Sequence, residues 1–410
     1  MRTMTRLLYS LIITGLTATI AVGTSGCGKR EEAAGISIET RDDGVVVVHN
    51  PDHGLWRAGD AWEIEEIVRI GEVEGDEPYV FERIRDVHID ADGRIFILDG
   101  RAKQIRIFDS SGIHIRTVGR QGEGPREFQM PIGMAWSPDG NLWVVDVGIN
   151  RFTVLTPDGD LLNTHHRERV GYSAEWRGTF DRDGALYEPG YSIESETGQS
   201  KQVYVRQILQ NGRLVETGRY DLPDFDTPYY RVEHPGGSMN LAIPHTPEPS
   251  WVFDGIDGIW VAPGDQYTFR HQSLSGETTR IVNLAREPIP VSDAERTKAR
   301  EDIEHALRRI AGGVDQIDFS KIPRHKPAYG PIILDDRGNI WVVQTLPESP
   351  SAGNAVPQTV FDVFDPDGRY LGSLAVNISL NPLPVIAARR IAGVITEESG
   401  LQRVVVSLIR

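Results

Sequence analysis

The stretch Asp90-Ala91-Asp92-Gly93-Arg94-Ile95-Phe96-Ile97-Leu98-Asp99 sets an Asp-Gly turn in front of a run that alternates aliphatic and aromatic side chains. Asp-Gly between apolar runs marks a tight hairpin, because the turn needs a residue at positive φ. The same unit recurs as SPDGNLWVVD at 137–146, DRDGALYEPG at 181–190, DGIDGIWVAP at 254–263 and DDRGNIWVVQ at 335–344, with a degenerate copy, TEESGLQRVVV, at 396–406. Its turn glycines are Gly93, Gly140, Gly184, Gly258, Gly338 and Gly400. Phe96, Trp143, Tyr187, Trp260 and Trp341 follow them at a nearly constant offset, as expected of aromatics that pack between neighbouring sheets.

A second glycine turn follows in five copies, at Gly112, Gly159, Gly212, Gly276 and Gly368, and strands flank it on both sides. Each complete unit therefore holds four short strands and two hairpins, the content of one propeller blade. The sixth copy ends at Arg410 without its last strand. Residues 62–71 precede the first copy in the position of an outer strand, since Phe81 stands before Asp92 as Phe128 stands before Asp139. The expectation is an all-β, six-bladed β-propeller closed by an N-terminal strand paired with the C-terminal blade, because closure removes exposed sheet edges. Residues 36–50, with Gly44 between two apolar runs, could supply a further strand.

Successive first glycines lie 47, 44, 74, 80 and 62 residues apart, and a blade needs about 45. The excess must be insertions. The one between Gly258 and Gly338, about residues 290–325, carries the single helix. Ser292 and Glu295 form a capping box, Ile303, Leu307 and Ile310 make one apolar stripe, and Gly312-Gly313 ends it. That stripe should pack on the ring, the alternative being a lid over the channel. The insertion between Gly212 and Gly258 offers Tyr229, Tyr230 and Trp251 as contact residues or loop anchors.

The chain of 410 residues has 59 acids against 43 strong bases, net −16. That balance disfavours a nucleic-acid partner, which needs clustered bases. Its 42 glycines and 25 prolines suit a turn-rich β protein, and 39% hydrophobic residues suffice for a core. Arg2 and Arg6 precede an uncharged apolar run, Leu7 to Val22, shorter than the roughly 20 residues of a membrane span. Residues 1–26 thus read as a signal peptide. Cys27, the only cysteine, follows Thr24-Ser25-Gly26. The run resembles a bacterial lipobox, which implies lipidation of Cys27, a membrane partner through that lipid, and residues 27–61 as a linker with edge strands. Gly28 after it resembles the outer-membrane sorting pattern of Gram-negative lipoproteins, facing the periplasm. Plain removal of the leader after Gly23 is the competing reading.

Gly119-Arg120-Gln121-Gly122-Glu123-Gly124-Pro125, with Phe128 and Pro131, resembles the NHL-type six-bladed propellers and bacterial exported propeller lipoproteins. So does Asp146-Val147-Gly148-Ile149-Asn150-Arg151-Phe152, where Asp, Asn and Arg follow the second strand. The resemblance spans residues 62–410 and implies a binding scaffold, although some relatives are enzymes. Lyases of this kind direct several histidines into the channel. The position five before each first glycine holds His88, Ala135, Thr179, Phe253, Ile333 and Ile395, so only His88 fits. His165-His166 reads as a solvated loop. Gluconolactonase-like propellers hold one divalent cation, such as calcium, with Glu, Asn and Asp; Asp99 and Asp146 are candidates, the competing role being to cap their own turns.

The reading favoured here is a non-enzymatic, membrane-anchored scaffold that binds a protein or small-molecule ligand at one rim and needs no cofactor. Candidate binding residues are Asp99, Asp146, His88, Arg151, Tyr229 and Tyr230. The alternative is a metal-dependent hydrolase or lyase working in the central channel.

Overall fold

The structure is a computed structural model that describes residues 31–33, 35–168, 176–193, 200–223, 225, 227–234, 237–310, 317–347 and 358–410. Cys27 and Gly312-Gly313 lie outside these residues. Before the ring, the chain forms β1 (Glu31–Ala33), β2 (Ile36–Thr40), β3 (Val46–Asn50) and β4 (Ile64–Ile70). Blade I is β5 (Ile84–Ile89), β6 (Ile95–Asp99), β7 (Gln104–Phe108) and β8 (His114–Val118), running from the channel outward. Blade II is β9 (Pro131–Trp136), β10 (Leu142–Asp146), β11 (Arg151–Leu155) and β12 (Leu161–His166). Blade III is β13 (Thr179–Phe180), β14 (Leu186–Ile193), β15 (Ser200–Gln210) and β16 (Arg213–Asp221). A separate hairpin, β17 (Tyr229–His234) and β18 (Gly237–Ala242), follows. Blade IV is β19 (Ser250–Phe253), β20 (Gly258–Ala262), β21 (Thr268–Ser273) and β22 (Thr278–Leu284). After helix α1 (Asp293–Ile310), blade V is β23 (Tyr329–Leu334), β24 (Ile340–Gln344), β25 (Gln358–Phe364) and β26 (Tyr370–Asn377). Blade VI joins β27 (Val385–Ala387), β28 (Arg390–Thr396) and β29 (Gln402–Ile409) to β4.

The fold is the six-bladed β-propeller expected. The ring closes where β29 pairs antiparallel with β4, from Val404 opposite Ile70 to Ile409 opposite Ile64. Val68, Ile70, Val404 and Val406 then pack with Ile84, Val87, Ile95 and Ile97 of blade I. The repeat aromatics do what their spacing requires. Phe96 and Trp341 are fully buried, each in a core shared by two blades.

Two turns differ from the sequence reading. In blade IV the left-handed residue is Gly255, with φ of 76°, whereas Gly258 begins β20. Gly258 is needed for a different reason: a Cβ there would lie 2.3 Å from His271 Nε2. In blade VI the glycine turn at Gly400 joins the second and third strands, and the first turn is Ala388-Arg389, both at positive φ without glycine. Ile395 therefore lies on a second strand, away from the channel. The innermost strand is short because Pro382 and Pro384 precede it and cannot donate to a ladder.

Residues 36–50 do form strands, but on blade IV. The β2–β3 hairpin turns at Gly44, and β3 runs parallel to β22 from Val46 opposite Arg280 to Asn50 opposite Leu284. The chain then crosses blade V, where Leu55 and Trp56 N–H donate to the carbonyls of Tyr370 and Leu371. Trp62 packs on Trp341 before β4 enters blade VI. Residues 35–61 of the expected linker are thus a strap that crosses from blade IV over blade V towards blade VI. His165-His166 ends β12 rather than forming a loop, and His165 is buried, stacked on Trp143 at 5.1 Å.

The helix packs differently from expected. The capping box forms, with Ser292 N–H on Glu295 Oε2 at 2.9 Å and Glu295 N–H on Ser292 Oγ at 3.1 Å. Its stripe, however, faces the other insertion: Ala299, Ile303 and Leu307 share a core with Tyr230 and Val232 of β17. Periodicity reveals an apolar stripe but not its partner. Among the described residues no helix is long and apolar enough to cross a membrane.

Val68→Asp places an unpaired carboxylate between blades VI and I. It should cost about 3 kcal/mol in urea unfolding; a loss below about 1 kcal/mol would show that closure does not carry the ring.

Candidate functional site: the central channel

The innermost strands of the blades, with the segments that lead into them, border a central channel. The resulting cavity measures about 1210 Å³. Its wall is mixed, its apolar part coming from Ile132 and Met134 of blade II, Trp176 before β13, Trp251 and Phe253 of blade IV, Ile333 of blade V and Leu383 before β27. Its polar part includes Arg85, Asp86 and His88 of blade I, with His88 Nε2 3.4 Å from Asp86 Oδ2, and Arg177 and Thr179 at blade III. Asp86 also accepts from Met134 N–H at 2.7 Å, which ties blade I to blade II.

The first turns of blades III, IV and V reach the same cavity and bring Asp181, Arg182, Asp254, Asp335, Asp336 and Arg337 to its mouth. Each leading aspartate is spent on its own turn. Asp181 Oδ1 accepts from Asp183 and Ala185 N–H, and Asp335 Oδ1 from Arg337 and Asn339 N–H. Asp254 Oδ1 accepts from Ile256, Asp257 and Gly258 N–H. The second oxygen then takes a side chain of the same blade, Arg206 for Asp181 and Asn339 for Asp335.

In blade IV that side chain is His271, at 2.9 Å, and its Nδ1 meets Thr279 Oγ1 at 2.7 Å. Burial pushes the Asp254 carboxyl up, but the hydrogen bonds from His271 and the turn N–H groups outweigh it and hold the group below its ordinary value. The Asp254–His271–Thr279 sequence has the connectivity of an acid–base relay. Yet it repeats the turn lock of blades III and V with a different side chain, which makes it a structural element of this blade.

The sequence-derived candidates separate by place. His88 lines the channel. Asp99 is fully buried and accepts from Glu82, Arg83, Arg101 and Ala102 N–H, with Arg106 at 3.5 Å. Asp146, equally buried, accepts from Gln129, Met130 and Gly148 N–H. Neither borders the cavity; both hold the entry loops of their blades. Arg151 donates to the carbonyls of Glu123, Gly124 and Glu127 and so clamps the glycine-rich loop. Tyr230 is buried in the insertion core, where it cannot meet a ligand, while Tyr229 is exposed beside it.

Of the channel aromatics, Trp251 and Phe253 were named from the sequence, whereas Trp176 was not, because it lies before β13 and outside the repeat unit. A second buried polar cluster stands behind Trp176. Glu188 receives Arg167 Nε at 2.5 Å, Trp176 Nε1 at 2.9 Å and Gln207 Nε2 at 3.2 Å. Burial pushes the Glu188 carboxyl up against the opposing pull of Arg167. These bonds fix the orientation of the Trp176 ring at the wall. Among the described residues, no three or more His, Cys, Asp or Glu side chains converge as metal ligands.

A depressed carboxylate gives stability that is present above its unfolded pKa and is lost as pH falls through the folded value. The wild-type protein should therefore lose stability below about pH 4, and Asp254→Asn should show a shallower loss across that range. Identical slopes in urea unfolding against pH would remove the assigned role of Asp254.

Residues 72–152 match the DUF5128 family model, a 6-bladed beta-propeller. No curated protein matches the chain. Among solved structures it is similar to a protein of Bacteroides fragilis inferred to be exported, at 8% identity and TM-score 0.49, over 89% of this chain and 99% of that one. It is also similar to virginiamycin B lyase of Staphylococcus aureus, at 10% identity and TM-score 0.37, over 85% and 100% of the two chains. A gluconolactonase of Xanthomonas campestris aligns at 13% identity and TM-score 0.37, over 86% of this chain and 90% of that one.

Proposed function

We propose that this protein is an exported propeller of the NHL type, held to the cell envelope through a lipid on Cys27, that binds a small ligand in its channel without turning it over. The observation that carries this reading is the channel itself: a cavity of about 1210 Å³ whose wall combines aromatic and aliphatic side chains with several charged ones. Pockets of this composition bury an apolar body and orient it with a few polar contacts. The carboxylates at the mouth are committed to turn N–H groups, which supports binding over catalysis. The alternative, a metal-dependent hydrolase or lyase, would need a converging ligand set that the described residues do not contain.

The anchor has a geometric consequence. Three residues separate Cys27 from Glu31 at the start of β1, so the four steps between them reach at most about 14 Å. Since β1 lies on the outer edge of blade IV, a lipid on Cys27 would hold that edge towards the bilayer, facing the periplasm from the outer membrane.

Two measurements test this. The neutral apolar fluorophore N-phenyl-1-naphthylamine should bind the protein and brighten. Thr179→Trp, which narrows the channel from β13, should weaken the signal without lowering the melting temperature; an unchanged signal would refute the channel as the site. In cells, labelled palmitate should enter the wild-type protein but not Cys27→Ala, and equal labelling would remove the anchor.

A further inference from the structure

The large hydrophobic side chains most exposed among the described residues are Val73 and Ile113, at 69% and 62%, and Ile115 and Ile67 add 52% and 39%. All four lie on the outer wall where blade VI meets blade I. Gly112 sits against β4, where a Cβ would lie 2.9 Å from Val68 Cγ1. Tyr79 spans the seam: its hydroxyl accepts from His114 N–H at 3.1 Å and its carbonyl from Glu72 N–H at 2.8 Å. Ile113 and Ile115 flank that histidine, Val73 follows that glutamate, and Ile67 precedes Val68. An apolar patch gathered and ringed by polar groups marks an interaction surface, unlike hydrophobic residues scattered singly.

Backbone shape and charge decide what fits there. In all six blades the outermost strand carries one extra residue against its neighbour: Ile115, Leu162, Thr217, Thr279, Leu371 and Ile67. On blade V the chain's own strap covers that bulge, as Trp56 N–H donates to the Leu371 carbonyl at 2.8 Å. Ile67 and Ile115 hold the same place on β4 and β8, which end their sheets with no strap over them among the described residues. A bulge prevents a long edge ladder, so a contact here is short and relies on side chains. Residues 63–77, EIEEIVRIGEVEGDE, hold seven acids against the single base Arg69, and all seven are exposed. Arg69 answers Glu66 and Arg410 answers Glu65, whereas Glu72, Glu74 and Asp76 have no ion pair among the described residues. Arg116, the base on β8, is paired with Asp160 of blade II. A second copy of this chain would bring the same negative charge to the patch, and so would an anionic bilayer.

We infer that this wall docks an extended, basic segment of a partner protein, laid over the bulges of β4 and β8 as the strap lies over β26. Its aliphatic side chains meet Val73, Ile113 and Ile115, and its lysines or arginines meet Glu72, Glu74 and Asp76. Opposite charge across the rim speeds encounter and fixes the register, while the aliphatic contacts hold the complex. The surface is on the outside of the ring and does not depend on the channel as a ligand site.

The probe is a short fluorescein-labelled peptide that alternates lysine with isoleucine, titrated with the full-length protein by fluorescence anisotropy. It should bind roughly tenfold tighter than a lysine-only peptide of the same length, because its isoleucines bury apolar surface on the patch. Ile113→Ser combined with Ile115→Ser alters only exposed side chains and should erase that advantage while leaving the lysine-only peptide unaffected. Glu72→Lys combined with Glu74→Lys should weaken both peptides; a thermal melt confirms that each variant folds. Equal binding of the two peptides to the wild-type protein, or an advantage that survives the serine variant, would overturn the inference. A dimer in sedimentation that the serine variant abolishes would assign the patch to a second copy. Binding to vesicles of phosphatidylethanolamine and phosphatidylglycerol that the same variant abolishes would assign it to a bilayer, and either result would equally overturn the inference.

Discussion

The pairing of β29 with β4 is the constraint on which the molecule depends. It joins residues more than 330 positions apart, and without it blades VI and I would each expose a hydrophobic face and a row of unpaired backbone groups. The core between them contains side chains from both chain ends, so neither end can leave without opening it. The other inter-blade interfaces are formed by neighbours in sequence and need no such closure.

The N-terminal strap extends that principle over two more blades. Asn50, 3% exposed, donates to the carbonyls of Asn283 in blade IV and Gly368 in blade V, and its Oδ1 accepts from Tyr370 N–H. One side chain thus satisfies three backbone groups on two blades. Gly54 follows where a Cβ would lie 2.3 Å from the Leu371 carbonyl. Only glycine lets the strap run this close to the edge of blade V. The strap and β4 together make the first forty described residues part of the ring's rigidity.

Rigidity explains how the channel can hold fixed chemistry on six separate strands. The turn aspartates use one oxygen for their own backbone and the other for a neighbour on the same blade. That double use fixes each turn and leaves few carboxylate lone pairs at the mouth. Because the blades differ in which side chain closes the lock, they also differ in what they present outward. Blades III and V offer arginines, and blade IV offers an imidazole and a hydroxyl.

The number of blades, the closing strand and the first hairpins of blades I, II, III and V were legible in the amino-acid order, because turn chemistry is a local property; the first turn of blade VI, Ala388-Arg389, carries no glycine and was not. The helix cap was legible for the same reason. The partner of the helix stripe, the docking of residues 36–50 on blade IV and the burial of Tyr230 were not, since each depends on surfaces brought together from distant segments. The candidate site divided in the same way. His88 could be placed by its offset from Gly93, and Asp99 and Asp146 could be picked out as strand-end carboxylates. Their commitment to neighbouring N–H groups, and the gathering of the first turns of blades III, IV and V at one cavity, arose only when the ring was closed.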